Sequence, residues 1–289
     1  MNTNLWLIRR EFWENRAIWM IPAIFGALLI LAALFGQVSI PTLSSHTETR
    51  DAGGIFLIVV GLMFYSVMAV YAGWYLLDCL YADRKDRSIL FWKSLPISDV
   101  QSVLSKLAVA LIVIPLVYFV AADVTSLIAA FILSVRARQS LGSALWQPDL
   151  WLQIQVLWVY TILVSAIWYL PVVGWLLAVS AWAKRAVILW SVLPALVLYL
   201  IERVFFGTHV IAQVLAKRLA GMAPVAYYAS KDVFTHDGIN ATAGDGPGSV
   251  WQLIDIRGFF SSPDTWIGAA VGIALIVLAI QLRMRRSEI

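Results

Sequence analysis

The chain has 289 residues, 61% of them hydrophobic and only 13% charged, with a mean hydropathy of +0.83 and a formal charge of +4. Soluble domains run at about 45–50% apolar and about 25% charged, so this balance excludes an ordinary water-soluble domain and points to lipid as solvent. A charge of +4 is no nucleic-acid signature by itself, and a single cysteine, Cys79, excludes an internal disulfide and a cysteine-based metal cage. Fourteen Trp and ten Tyr agree with a membrane setting, because their amphipathic rings gather at head-group depth.

At the N-terminus, Leu5, Ile8 and Phe12 share one helical face beside Trp6 and Trp13, a pattern for an interfacial helix. Arg9 and Arg16 fall inside that arc and must snorkel to water. Arg9, Arg10, Glu11, Glu14 and Arg16 interrupt the chain before its first apolar run, which argues against a cleavable signal peptide.

A helix needs about 20 apolar residues to cross a bilayer. Six stretches qualify, at 17–36, 55–77, 107–134, 154–182, 186–201 and 266–282. Cys79 follows the second as a buried small hydrophobe. Pro115, Pro171 and Pro194 lie within the third, fourth and fifth, where each removes a backbone hydrogen bond and favours a kink. An even number of spans puts both termini on one side. With that side cytoplasmic, the segments facing it hold Arg9, Arg10, Arg16, Arg84, Lys85, Arg87, Lys93, Lys106, Lys184, Arg185, Arg283, Arg285 and Arg286. That is thirteen of the 21 Lys and Arg. The positive-inside rule therefore places both termini in the cytoplasm.

Between the second and third spans lies a charged island, Asp83–Lys106. Ile89-Leu90-Phe91-Trp92, followed by Ser94-Leu95-Pro96, fits a short amphipathic helix stopped at the proline. Ser98-Asp99-Val100-Gln101 then has capping-box spacing, with Asp99 suited to a positive helix N-terminus. A plain solvated loop would need the charge but not this much local structure.

Asp123 is the one acid well inside a span. An ionisable group in lipid is a functional candidate by default, here for a substrate pathway. It also lies about 24 Å along its helix from Leu107, at 1.5 Å per residue, where solvation or pairing with Arg136 or Arg203 is an alternative.

Residues 202–265 form the longest external segment. Glu202 and Arg203 read as an interfacial ion pair at the end of the fifth span. Apolar residues of 208–220 recur at helical spacing, and Gly221 is a plausible stop. That helix lies on the outer leaflet or dips into the membrane as a re-entrant element. Residues 238–249 are Gly-rich and read as a loop. Ser262-Pro263 resembles an N-cap with a first-turn proline, opening the last span, which Arg283, Arg285 and Arg286 close.

No GxxxxGK[ST] loop and no HExxH motif occurs, and His46, His209 and His236 are scattered over external segments. The sequence thus offers no metal site and no catalytic constellation, and the chain reads as a non-enzyme.

The layout resembles the permease subunits of ABC-2 type transporters. The resemblance rests on the elbow-like stretch 5–16 (LWLIRREFWENR), on 83–98 (DRKDRSILFWKSLPIS) and on Ser105-Lys106 opening the third span. It implies an all-α membrane protein: a six-helix permease with an N-terminal interfacial helix, a cytoplasmic coupling helix and a re-entrant external region. It also implies a bacterial plasma-membrane exporter in which ATP and Mg are bound by a separate ATP-binding subunit. A second permease copy or a paralogue would complete the pathway, and no cofactor would belong to this chain. The coupling contacts would be Arg87, Ile89, Leu90, Phe91, Trp92, Lys93, Leu95 and Pro96, with apolar residues supplying packing and basic ones orientation. An ATPase-independent secondary transporter or a non-transporting assembly protein is the alternative. The former should show internal repeats or several intramembrane charges, which the sequence lacks.

Overall fold

The computed structural model describes residues 3–36, 46–86, 98–136, 145–227 and 253–285. In chain order the helices are α1 (Thr3–Glu14), α2 (Ala17–Phe35), α3 (His46–Lys85), α4 (Asp99–Ala108), α5 (Ile114–Arg136), α6 (Pro148–Trp168), α7 (Leu170–Trp182), α8 (Val187–Ile201), α9 (Val210–Ala220), α10 (Ala223–Ala226), α11 (Ile256–Ser261) and α12 (Pro263–Arg285). A π-helical turn, Val109–Val113, joins α4 to α5, and another, Glu202–Phe206, extends α8. The β contact among the described residues is an isolated bridge between Tyr227 and Ile254.

Six stretches are long and apolar enough to cross a membrane: Ala17–Phe35, Gly53–Lys85, Asp99–Arg136, Pro148–Trp168, Val187–Phe206 and Pro263–Arg285. The fold is all-α, with the helix lengths and apolarity of a membrane protein. Large apolar side chains on these helices point outward, among them Phe35, Val70, Ile112 and Phe131. In water such faces would aggregate, whereas lipid satisfies them. Several helices outrun the expected spans, because hydropathy marks what lipid covers while backbone bonding continues into polar ends.

The fourth expected span is not one straight helix. It bends at Tyr169 (φ −85°, ψ 6°), where α6 ends and α7 begins with Pro171 in its first turn. Proline has no N–H, and its ring crowds the carbonyl four residues back. The ladder still crosses the bend through Tyr169 N–H to Ser165 O and Val173 N–H to Tyr169 O, both 2.9 Å. Pro115 sits two residues past the end of the π-helical turn, whose wider coil makes room for its ring, and α8 continues through Pro194.

The chain divides into two compact units. The first comprises Met1–Ala72 and Ala108–Tyr160, the second Gly73–Leu107 and Thr161–Ile289. In the first, α2 packs on α5, and a Cβ at Gly26 would stand 2.5 Å from Thr125 Oγ1. Phe25 meets Phe64 edge-on at 5.1 Å, and Tyr71 stacks on Tyr118 at 6.1 Å. Arg136, at the end of α5, donates to Ala33 O (2.5 Å) and Gly36 O (2.9 Å), satisfying carbonyls orphaned at the end of α2. Helix α1 forms where expected and packs on the π-helical turn. Its buried face differs from the expected one: Leu7 and Glu11 face inward, Ile8 and Phe12 are half-buried, and Trp6 and Trp13 are exposed.

In the second unit α7 and α12 pack tightly. A Cβ at Gly174 would lie 2.6 Å from Gly272 O, and one at Gly272 would lie 2.5 Å from the Leu170 carbonyl carbon. Gly174 and Gly272 are thus small residues at which two membrane helices approach backbone to backbone, whereas a Cβ at Gly268 would meet the Arg218 guanidinium. The buried Ser180 hydroxyl on α7 accepts from Leu80 N–H and Tyr81 N–H of α3, each at 3.1 Å. Cys79 is buried beside this contact, as its apolar surroundings suggested.

Candidate functional site

The second unit holds the roots of the charged island, and they are built from three helix ends. Helix α3 closes with Asp83-Arg84-Lys85, α4 opens with Asp99, and α12 closes with Arg283. Arg283 Nη1 donates to Asp83 Oδ2 at 3.0 Å, and its Nε donates to Asp99 Oδ1 at 3.2 Å. Lys106 Nζ lies 3.4 Å from Asp83 Oδ1. The side chains of Arg283, Lys106 and Asp83 are only 3%, 6% and 11% exposed. Asp99, at 24%, sits at the rim, so among the described residues two acids face two bases with three of the four side chains nearly dry. Each buried ion loses several kcal/mol of hydration, which pairing of this kind must offset.

Arg84 points to the neighbouring helix. Its Nη2 donates to Ser180 O (2.5 Å), in the last turn of α7, and to Ala183 O (2.9 Å), just past its end. A cation is favoured there by both the unsatisfied carbonyls and the helix dipole. On the other root, Ser98 N–H donates to Gln101 Oε1 (3.1 Å) and Gln101 N–H to Ser98 Oγ (3.2 Å). This is the expected capping box.

Both roots, the end of α3 and the start of α4, are therefore held by the cluster. The expected coupling contacts Arg87, Ile89, Leu90, Phe91, Trp92, Lys93, Leu95 and Pro96 lie outside the described residues. Sequence reasoning placed Lys106 in the island and Arg283 at the end of the last span. It did not join them, because nothing local links positions so far apart.

Asp123 is half-buried on α5 in the first unit and accepts from Gln155 Nε2 of α6 at 2.6 Å. The expected partners are engaged elsewhere: Arg136 caps α2, and Arg203 lies 3.0 Å from His209 Nε2. The other amide atom, Gln155 Oε1, is buried with no hydrogen-bond partner among the described residues.

The expected Glu202–Arg203 ion pair is replaced by a cap. Glu202 is buried and accepts from Thr208 Oγ1 (2.6 Å), Val210 N–H (2.5 Å) and Ile211 N–H (2.8 Å). A carboxylate suits the positive N-terminus of α9 better than a flexible neighbouring arginine. The C-terminal end of α9 is tied to the Tyr169 bend. Trp168 Nε1 donates to Arg218 O (2.9 Å), and the Tyr169 hydroxyl donates to Leu219 O (3.0 Å). Arg218 in turn donates to Trp168 O (3.2 Å) and Asp264 O (3.0 Å), with its guanidinium 4.6 Å from the Trp168 ring centre. Burial draws the pKa of Arg218 below its usual value, and the carboxylate of Asp264 opposes that shift.

Among the described residues no group of three His, Cys, Asp or Glu side chains is placed to hold a metal ion. Compared with family models, with curated proteins and with solved structures, the chain returns no match, and its function has to be argued from these residues.

Proposed function

We propose that this chain is the membrane-spanning subunit of an ABC-2 type exporter, driven by a separate ATP-binding subunit that docks on the island at 83–106. The observation that carries this reading is the ion cluster Asp83–Arg283–Asp99 with Lys106. A docking element must transmit force, and a segment rooted on flexible side chains would absorb it. Here both roots are bound to the same buried arginine, and Arg84 ties the first root to α7. Pre-fixing the ends also lowers the ordering cost of binding. A push on the segment would enter α3, α4 and α12 together, as a rigid-body switch requires.

In this reading the island and both termini face the cytoplasm of a bacterial cell, and ATP and Mg stay with the partner. A second permease copy or paralogue lines the pathway, with Asp123 and Gln155 among its candidate polar contacts. The ties between α9 and the Tyr169 bend support a re-entrant position for 210–227. Substrate chemistry is not encoded in the external segment.

The test is co-purification with candidate ATP-binding subunits, followed by ATP hydrolysis in lipid. Recruitment is expected, and Phe91→Asp or Trp92→Asp should reduce stimulated hydrolysis roughly ten-fold or more, the scale of lost hot-spot contacts. Neither change should alter thermal stability of the isolated chain. Recruitment of no ATPase, or recruitment indifferent to both changes, would sink the proposal.

A further inference from the structure

The second unit contains a cavity of about 540 Å³ that the coupling proposal does not use. One wall is a single face of α3: Trp74, Leu77, Asp78 and Tyr81. The other wall is residues 186–189, the start of α8. Positions 74, 78 and 81 fall on one helical stripe, so two aromatic rings flank one carboxylate. The floor is preformed, because Leu77 and Tyr81 pack on the buried cluster Val179, Ala183 and Val187. The turn forming the second wall is fixed by Ala186 in the left-handed region (φ 51°) and by Trp175 Nε1 donating to Ser191 O at 3.0 Å.

The chemistry of the cavity selects its occupant. Asp78 is exposed, and among the described residues no cation lies within ion-pair reach of it. A carboxylate between Trp and Tyr rings favours a small cation through charge and ring faces together. Lys184 and Arg185, exposed and immediately before Ala186, supply the opposite sign at the rim. They too have no acid partner among the described residues. From this wall outward, Ile188, Leu189 and Val192 present exposed apolar side chains along α8. Trp182 and Trp190, packed edge-on at 4.7 Å, stand beside the same turn. Paired tryptophans next to Lys and Arg mark head-group depth in a membrane.

We propose that this cavity binds a phospholipid whose head group carries a primary amine, of the phosphatidylethanolamine type. The ammonium sits between Asp78, Trp74 and Tyr81; the phosphate faces Lys184 and Arg185; the acyl chains run along α8. Each part of the lipid meets the matching chemistry. The volume lies within the range of small-molecule sites, about 300–1,000 Å³. This inference requires the bilayer but no ATPase, so it stands or falls separately from the coupling proposal.

The experiment is native mass spectrometry of the purified chain after exchange into phosphatidylethanolamine, phosphatidylcholine or phosphatidylglycerol of identical acyl chains. Phosphatidylethanolamine adducts are expected to survive at least about ten-fold better than phosphatidylglycerol adducts, which is about 1.4 kcal/mol. Asp78→Asn should abolish that preference, and Lys184→Gln with Arg185→Gln should weaken retention of all three lipids. Asp78 is exposed, so Asp78→Asn is expected to fold, and an unchanged melting temperature of the delipidated chain checks that. Equal retention of the amine and choline lipids would overturn the primary-amine assignment. Equal retention of all three, or a preference that survives Asp78→Asn, would leave only an unselective apolar groove.

Discussion

Arg283 and Asp83 are 200 positions apart in sequence, yet their side chains meet at 3.0 Å in a nearly dry cluster. The pair joins the last turn of α12 to the last turn of α3, and the second bond of Arg283 reaches Asp99 at the start of α4. Removing Arg283 leaves two acids, Asp83 and Asp99, with Lys106 at 3.4 Å from Asp83 as the base remaining in the cluster. Arg283→Met is expected to cost about 3–5 kcal/mol, read as a fall of about 10 °C in apparent melting temperature in detergent. Asp83→Asn combined with Arg283→Met should cost less than the sum of the two single changes. Strict additivity would mean that the pair is not coupled.

Arg84 gives a second handle on the same root. Its two bonds to Ser180 O and Ala183 O satisfy the end of α7, and hydrogen bonds to a charged group contribute roughly 1.5–3 kcal/mol. Arg84→Ala should therefore lower stability by about that amount, while Arg84→Lys, with a single donor head, recovers part of it. Thermal denaturation of the two variants side by side decides the matter. Equal loss in both would mean that the reach and shape of the guanidinium, rather than the charge, is what α7 requires.

Glu202 makes a prediction that is local rather than global. Its carboxylate holds the first amides of α9, and Glu202→Ala removes the acceptor for Val210 N–H and Ile211 N–H together. Hydrogen exchange across 210–212 should quicken severalfold, with α7 and α12 unchanged. Protection that persists in the variant would assign the hold on α9 to Trp168 and Tyr169 at its other end.

What the sequence revealed follows the range of the interaction. Apolar runs mark six stretches long and apolar enough to span, but the fourth, expected at 154–182, divides into Pro148–Trp168 and the shorter Leu170–Trp182, because contiguous composition reports lipid burial and not where a helix bends. The Ser98–Gln101 cap and the start of α12 at Pro263 were equally legible, since both are settled within four residues. The Arg283–Asp83 pair was not, because no periodicity connects helix ends so distant. Glu202 was misread for a related reason: Arg203 is its neighbour in sequence, but helical geometry turns the two side chains apart and brings Val210 to Glu202 instead. The bend at Tyr169 was half legible, since Pro171 marked the place but not whether the helix would bend or stop. A glycine pattern at 268 and 272 stood in plain view, but only Gly272 meets the backbone of a facing helix, and the sequence did not show which helix.

That facing helix is α7, and the approach tests the pattern directly. A side chain at position 272 would drive into the backbone of Leu170, and no rotamer change removes a backbone clash. Gly272→Val is expected to separate α7 from α12 and to cost roughly 1–3 kcal/mol, the scale of overpacking. Gly174→Val should act on the same contact, so the double variant should lose less than the two single losses added together. Cysteine cross-linking between the two helices, weakened in either variant, gives an independent reading of the separation.

Asp123 argues in the opposite direction from Arg283. Among the described residues its partner is an amide donor, Gln155 Nε2 at 2.6 Å, rather than a cation. Asp123→Asn keeps an oxygen to accept that bond and removes the cost of holding a charge at membrane depth, about 2.5–3.5 kcal/mol for an acid at a helix centre. The variant should be at least as stable as the parent by thermal denaturation. A carboxylate held at a stability cost points to use; under the proposed export function, Asp123→Asn should lower transport in vesicles while leaving recruitment of the proposed ATPase intact. Clear destabilisation of Asp123→Asn would show that the carboxylate is structural and would remove Asp123 from the pathway.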